Sequence, residues 1–168
     1  MLEQVTGKPF ETLLDDLVLA PLGMTDSGID RPFRINPRRA YGHALVDGEF
    51  VNTGNDALAP FDRGPAEMYS TAADLGRWCD AIFDCPLVPA ETLAEMFKPH
   101  ARIDERSAYG YGWFVVPDMR WHGGGTPGFI SRIRQYPDAR VSIITLQNAN
   151  HIDPDPILDE ISSLVLPA

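Results

Sequence analysis

Phe10, Leu13, Leu14, Leu17 and Val18 recur at the three- and four-residue spacing of one helix face, and Pro21 with Gly23 closes the pattern. Pro9 suits the first turn of that helix. A second, stronger stripe of Leu75, Trp78, Cys79, Ile82 and Phe83 follows Thr71, with Asp74 at capping-box distance. A shorter helix is predicted over residues 89–97, with Leu93, Met96 and Phe97 facing inward. Between the first and second helices, residues 25–65 mix Gly, Pro, Asn, Asp and Arg with brief apolar stretches such as 41–46. This predicts a long excursion carrying short strands.

The texture changes after Gly110. Runs 111–116, 120–123, 129–136 and 141–146 are β-rich and separated by Pro and Gly clusters, the pattern of an antiparallel meander. Pro137 to Arg140 suits a type I turn that would make the last two runs a hairpin. Asp153-Pro154-Asp155-Pro156 cannot lie inside a helix, and the stripe Ile157, Leu158, Ile161, Leu164 and Val165 then predicts a terminal one. Helices, then strands, then a helix predict an α/β (α+β) chain with an antiparallel sheet flanked by helices. It reads as a single domain over 1–168, helical and loop-rich over 1–108, strands plus the terminal helix over 109–168.

With 168 residues and 44% hydrophobic content the chain can build a packed core without staples. Its 14 Lys plus Arg against 24 Asp plus Glu leave a net charge of −10, which argues against a nucleic-acid partner. No apolar run of about 18 residues is present to span a membrane. The first residues lack the basic-then-apolar pattern of a secretory signal; the compartment is left open. Two cysteines form no disulfide framework, and no Cys/His spacing points to a metal. Cys79 sits on an apolar helix face as a small core residue, and Cys85 has no activating cation beside it in sequence. His43, His100 and His151 lack partners at ligand spacing and read as surface or loop residues.

The segment Trp121-His122-Gly123-Gly124-Gly125-Thr126-Pro127-Gly128-Phe129 carries the strongest chemical signal. Glycines let a substrate approach the backbone, and one exposed N–H aimed at a carbonyl oxygen is half of an oxyanion hole. A Gly-rich hairpin turn beside a surface His is the bland alternative. Ser70 or Thr71 reads as a helix N-cap rather than a nucleophile. Tyr109, Tyr111 and Trp113 read as strand residues packing the sheet, with an aromatic at a cleft wall as the other option.

Four collinear segments carry a resemblance. These are Pro21-Leu22-Gly23-Met24-Thr25-Asp26, Met68 to Leu75, Tyr109-Gly110-Tyr111-Gly112-Trp113, and His122-Gly123-Gly124 with Pro127-Gly128-Phe129. Together they resemble the serine β-lactamase and penicillin-binding-protein-like hydrolases, of the class C β-lactamase-related kind, over nearly the whole chain. The resemblance implies an active site between an antiparallel sheet and a helical region. It implies acyl-enzyme chemistry from a Ser-x-x-Lys serine, a Tyr-x-Asn or Ser-x-Asn motif and a Lys-Thr-Gly or His-x-Gly triad. His122, Gly123 and Gly124 match the triad, and Gly125 matches the position whose N–H serves the oxyanion hole. The catalytic set carried over is therefore His122, Gly124 and Gly125, with Gly123 and Tyr69 at the substrate.

The other two motifs do not occur. The only lysines, Lys8 and Lys98, follow Val5 and Glu95 at three positions' distance rather than Ser, and no Tyr or Ser is followed by x-Asn. In the family both motifs lie upstream of the segment resembling residues 2–8. The chain is thus expected to be the carboxyl-terminal part of a longer hydrolase, without the amino-terminal strands and nucleophile helix. Alone it should be inactive, with an exposed sheet edge that favours self-association; a non-catalytic remnant or ligand-binding fragment is the alternative. A substrate-carboxylate site in this family usually has Lys where His122 stands. A neutral ring binds a carboxylate more weakly, which favours ester or amide hydrolysis of esterase or peptidase type over efficient β-lactam cleavage. The resemblance implies no cofactor.

Overall fold

The computed structural model describes residues 1–31, 34–53, 67–84 and 87–167. The expectations for Cys85 and for residues 54–65 of the excursion fall outside that set. Six strands form the main sheet: β5 (Ala101–Arg102), β6 (Ala108–Tyr109), β7 (Phe114–Val116), β8 (Met119–Thr126), β9 (Phe129–Tyr136) and β10 (Val141–Gln147). They lie side by side in chain order, each antiparallel to the next. Pro117-Asp118 and Pro127-Gly128 make two-residue turns, closing on the pairs Val116↔Met119 and Thr126↔Phe129. The predicted hairpin between the last two strands is present. Its turn bond runs from Arg140 N–H to the Pro137 carbonyl at 3.1 Å, so Pro137 is the first residue of the turn rather than the second.

Helices cover both faces of this sheet. Successive side chains of β9 point to opposite faces, and their partners differ accordingly. Arg134 donates to Asp159 at 2.5 Å and to Asp155 at 3.0 Å, and the Tyr136 hydroxyl meets Ser162 Oγ at 2.7 Å, all on α6 (Asp155–Val165). Gln135 between them turns the other way and donates to the Cys79 carbonyl of α4 (Ala72–Asp84) at 3.2 Å. Gln135 is 0% exposed, and its amide is satisfied on every side, since Arg120 Nε donates to its Oε1 at 2.8 Å and Ser142 Oγ accepts from its Nε2 at 3.2 Å. From the predicted stripes, α4 buries Cys79 and Ile82 and α6 buries Leu158, whereas Ile157, Leu164 and Val165 of the α6 stripe are exposed. A fully buried Leu contributes about 1.5–3 kcal/mol. Burial also pushes the Cys79 thiol up, as befits a core residue rather than a nucleophile.

The predicted amino-terminal helix is present: after α1 (Leu2–Thr6), the segments α2 (Phe10–Leu14), a π-helical turn over Asp15–Leu19 and α3 (Ala20–Leu22) run on without a break and end at Gly23. The wider π turn rotates the helix face, so Leu13 and Leu19 are buried while Leu17, on the predicted stripe, is exposed. The predicted helix near 89–97 is α5 (Ala90–Met96). Among the described residues no helix is long and apolar enough to cross a membrane.

Two short ribbons complete the fold. β1 (Gly28–Ile29) pairs with β4 (Met68–Tyr69), and β2 (His43–Val46) forms a hairpin with β3 (Glu49–Asn52). The hairpin joins the far end of β10, where His43 N–H donates to the Asn148 carbonyl at 2.9 Å. It also seats on the β8–β9 turn. Gly128 lies at φ 80°, and a Cβ there would come within 2.7 Å of the Gly42 backbone and 2.2 Å of Thr53 Oγ1. Only two glycines let the segments approach so closely.

Candidate active site on strand β8

The glycine run forms no turn; it is the second half of β8. Hydrogen-bonding direction alternates along an antiparallel strand, and a two-residue turn makes its closing pair a hydrogen-bonded one. Thr126, Gly124, His122 and Arg120 therefore bond to Phe129, Ser131, Ile133 and Gln135 of β9. The N–H and C=O groups of Trp121, Gly123 and Gly125 point the opposite way. The β7 register leads independently to the same parity, because its closing pair Val116↔Met119 makes Phe114↔Trp121 the next bonded pair. Since β7 pairs only with residues 119–121, the outward backbone groups of Gly123 and Gly125 face an open edge among the described residues.

Beside that edge is an aromatic stack set by register. Arg132 lies over the Trp121 ring at 4.7 Å, Trp121 stacks on Phe114 at 4.1 Å, and Tyr109 meets Phe114 edge-on at 4.7 Å. The stack explains Gly123: a Cβ there would lie 2.5 Å from the Ser131 carbonyl oxygen and 3.0 Å from Arg132 Cδ. Arg132 and Arg134 are in turn held by Asp155 at 3.3 and 3.0 Å, which ties α6 to the strand.

His122 is half-buried, and its Nε2 lies 3.0 Å from the Tyr109 hydroxyl. Burial, and then the positive charge of Arg132, hold its pKa below the usual imidazole value. The ring is thus neutral at pH 7. An unfolded ring takes up a proton just under pH 6.5 where the folded ring resists it, so acidification through that window destabilises the fold. Comparing the pH dependence of Tm in the chain and in His122→Gln should show a smaller acid-side loss in the variant. A His122 midpoint at or above the ordinary value in a proton NMR titration would contradict this.

The structure brings His122, Gly123, Gly124 and Gly125 together on one strand, with Gly124 and Gly125 bordering an open hollow of about 410 Å³ that Ile130, Arg132 and His151 also line. Tyr69 lies elsewhere in its contacts: on β4, its ring closes over Gly28, and it borders a separate hollow with Ile29 and Asp30. Ser70 Oγ meets Ser27 Oγ at 2.7 Å, and Thr71 Oγ1 accepts from Asp74 N–H at 3.2 Å as the predicted cap. Tyr111 is exposed and stacks on His100, whereas Trp113 is buried against Phe97. The Tyr109 contact with His122 is the feature that residue patterns missed. The signal lay in the turn at Pro117-Asp118, which sets Tyr109, Phe114 and Trp121 in register one residue before His122.

Comparisons with known proteins bear on the family and the fold. The family model described as Beta-lactamase matches residues 1–165. PbpX of Bacillus subtilis (strain 168), named as a penicillin-binding protein, is 26% identical over 129 residues, covering 77% of this chain and 32% of its own length. A penicillin-binding protein from Bacillus halodurans superposes with a TM-score of 0.84 at 19% identity, over 97% of this chain and 52% of that one. The D-amino acid amidase of Ochrobactrum anthropi SV3, solved with L-phenylalanine amide, gives 0.71 at 21% identity, over 97% of this chain and 55% of that one. The chain spans about a third of the curated relative's length and about half of each solved structure. The match of that family model to residues 1–165 shows that this chain belongs to the beta-lactamase family.

Proposed function

We propose that this chain supplies the electrophile-polarising wall of a serine acyl-transfer site, whose attacking serine and its base lie in protein outside this sequence. The observation that carries the reading is the open edge of β8, where the Gly125 N–H faces outward beside a neutral, half-buried His122. A backbone N–H so placed stabilises an oxyanion without reorganising at the moment of reaction. Gly123 offers its carbonyl and N–H along the same edge to an extended substrate. A neutral His in place of a cation weakens carboxylate capture, so small esters and amides fit better than β-lactams. The amidase among the solved relatives accords with that preference.

The outer edge of β10 carries no strand among the described residues, and Leu146 is exposed on that strand. That edge is where a completing polypeptide, or a second copy, would pair. The test is hydrolysis of p-nitrophenyl esters by the purified chain, alone and with a separately expressed amino-terminal half carrying Ser-x-x-Lys and Tyr-x-Asn. No turnover is expected from the chain alone and measurable turnover from the mixture. Hydrolysis by the chain alone, abolished by changing one of its own serines, would refute the reading.

A further inference from the structure

We propose that Tyr109 is a positioning residue for His122, its hydroxyl donating to Nε2 so that Nδ1 carries the only proton of the neutral ring. The bond spans 3.0 Å between two half-buried side chains. A phenol is a good donor and a poor acceptor, while the unprotonated nitrogen of an imidazole is a strong acceptor. Hence the arrangement O–H···Nε2 is favoured over Nε2–H···O. A free histidine side chain prefers the opposite tautomer, with the proton on Nε2, so the protein must select this one.

Tyr109 is itself held in place. It pairs with Phe114 across β6 and β7, and its ring rests edge-on against Phe114 at 4.7 Å. Phe114 in turn stacks on Trp121, the neighbour of His122 in the chain. Gly110, the residue after Tyr109, permits a close approach: a Cβ there would lie 2.3 Å from the Met96 carbonyl oxygen, so the chain passes tightly against the end of α5. The hydroxyl therefore arrives at Nε2 through a rigid path of sheet register and ring packing. The chemical result is a ring that offers one donor, Nδ1–H, and keeps its basic nitrogen occupied.

Its meaning for function rests on the reading of His122 as part of the acyl-transfer site. With Nε2 engaged by Tyr109, His122 acts toward substrate as a neutral hydrogen-bond donor rather than as a general base. An ester or amide oxygen suits such a donor, and proton abstraction is left to other groups.

The tautomer is directly readable. With nitrogen-15-labelled histidine, two-bond nitrogen–proton correlations of the chain at neutral pH distinguish protonated from unprotonated ring nitrogens. His122 is expected to show a protonated Nδ1, and Tyr109→Phe, which keeps the ring contact with Phe114, should move the population toward Nε2–H. Wild-type His122 protonated on Nε2 would overturn the proposal, as would a Tyr109→Phe spectrum with the same tautomer as wild type. In the complemented enzyme, Tyr109→Phe should lower kcat/KM for an ester about five- to tenfold, the size of one lost hydrogen bond. The ring spectrum answers the same way whether or not any ester is hydrolysed, so failure of the tautomer and failure of the catalytic reading are separable.

Discussion

Asp74→Ala is expected to lower the stability of the chain by about 2–4 kcal/mol, read as a lower urea midpoint with an unchanged m value. Asp74 is 1% exposed at the start of α4, yet its carboxylate is fully used. Oδ2 accepts from Asp26 N–H at 2.8 Å and from Ser27 Oγ at 2.7 Å, and Oδ1 accepts from Arg77 at 2.7 Å. These bonds fasten the turn after α3 to the first turn of α4, across 48 residues of sequence. The carboxylate also sits where the amino-terminal end of the helix dipole favours negative charge. Removing it leaves the Asp26 N–H without an acceptor, leaves Ser27 only Ser70 Oγ as partner and opens a space the size of a carboxyl group, whereas Arg77 is half-exposed and finds water. Asp74→Asn keeps the shape and one acceptor, so it should cost about half as much; Ser27→Ala, which removes one donor, about 1 kcal/mol. An Asp74→Ala loss under about 1 kcal/mol would mean that the two segments are held together by apolar packing alone.

This cluster shows which parts of the structure residue patterns can announce. Thr71 with Asp74 reads correctly as a helix start, because the cap bond is local. That the Asp74 side chain turns away to residues 26 and 27 is invisible to local spacing, since it depends on tertiary packing. The same division runs through the sheet. Strand β9 was legible over its full length because Phe129, Ile130, Ile133 and Tyr136 give a β-rich run between two turn signals. β8 was legible only as far as Gly123, because glycine has no side chain to pack and is scarce in strands. There the ladder with β9 outweighs the weak propensity. The run predicted from 111 begins only at Phe114, since Gly112 takes φ 79° and Tyr111 N–H bonds to the Met96 carbonyl. The two-residue strands β5 and β6 are too short to carry any period. Of the candidate site, the four residues 122–125 were legible from the motif. Tyr109 and Arg132 gain their roles from register, which no single segment displays.

The decisive change for the proposed chemistry is Gly125→Pro, expected to lower kcat of the complemented enzyme about 10²–10³-fold, the range for losing one oxyanion-hole donor. Proline removes the N–H and fixes φ at about −65°. Because the Gly125 N–H points away from β9, the substitution breaks no ladder bond, and proline is tolerated on such an outward-facing edge. The added Cβ has room as well. A Cβ at Gly125 meets the Phe129 carbonyl oxygen at 3.5 Å and Ile130 Cγ1 at 3.8 Å, both ordinary contacts. Gly125→Ala is therefore the matched control, since it adds the Cβ but keeps the donor, and it should retain kcat within about threefold. Gly123→Ala cannot serve that purpose, because its Cβ would strike the Ser131 carbonyl and Arg132 and disturb the fold instead. The unfolding free energies of the chain, Gly125→Ala and Gly125→Pro, read by urea titration, should agree within about 1 kcal/mol, which separates loss of the donor from loss of structure. If Gly125→Pro folds normally and the complemented enzyme keeps its wild-type kcat, the backbone of Gly125 does not stabilise the oxyanion and β8 is not the polarising wall. If Gly125→Ala loses as much activity as Gly125→Pro, the edge is sensitive to bulk rather than to the N–H, and the strand binds substrate without polarising it.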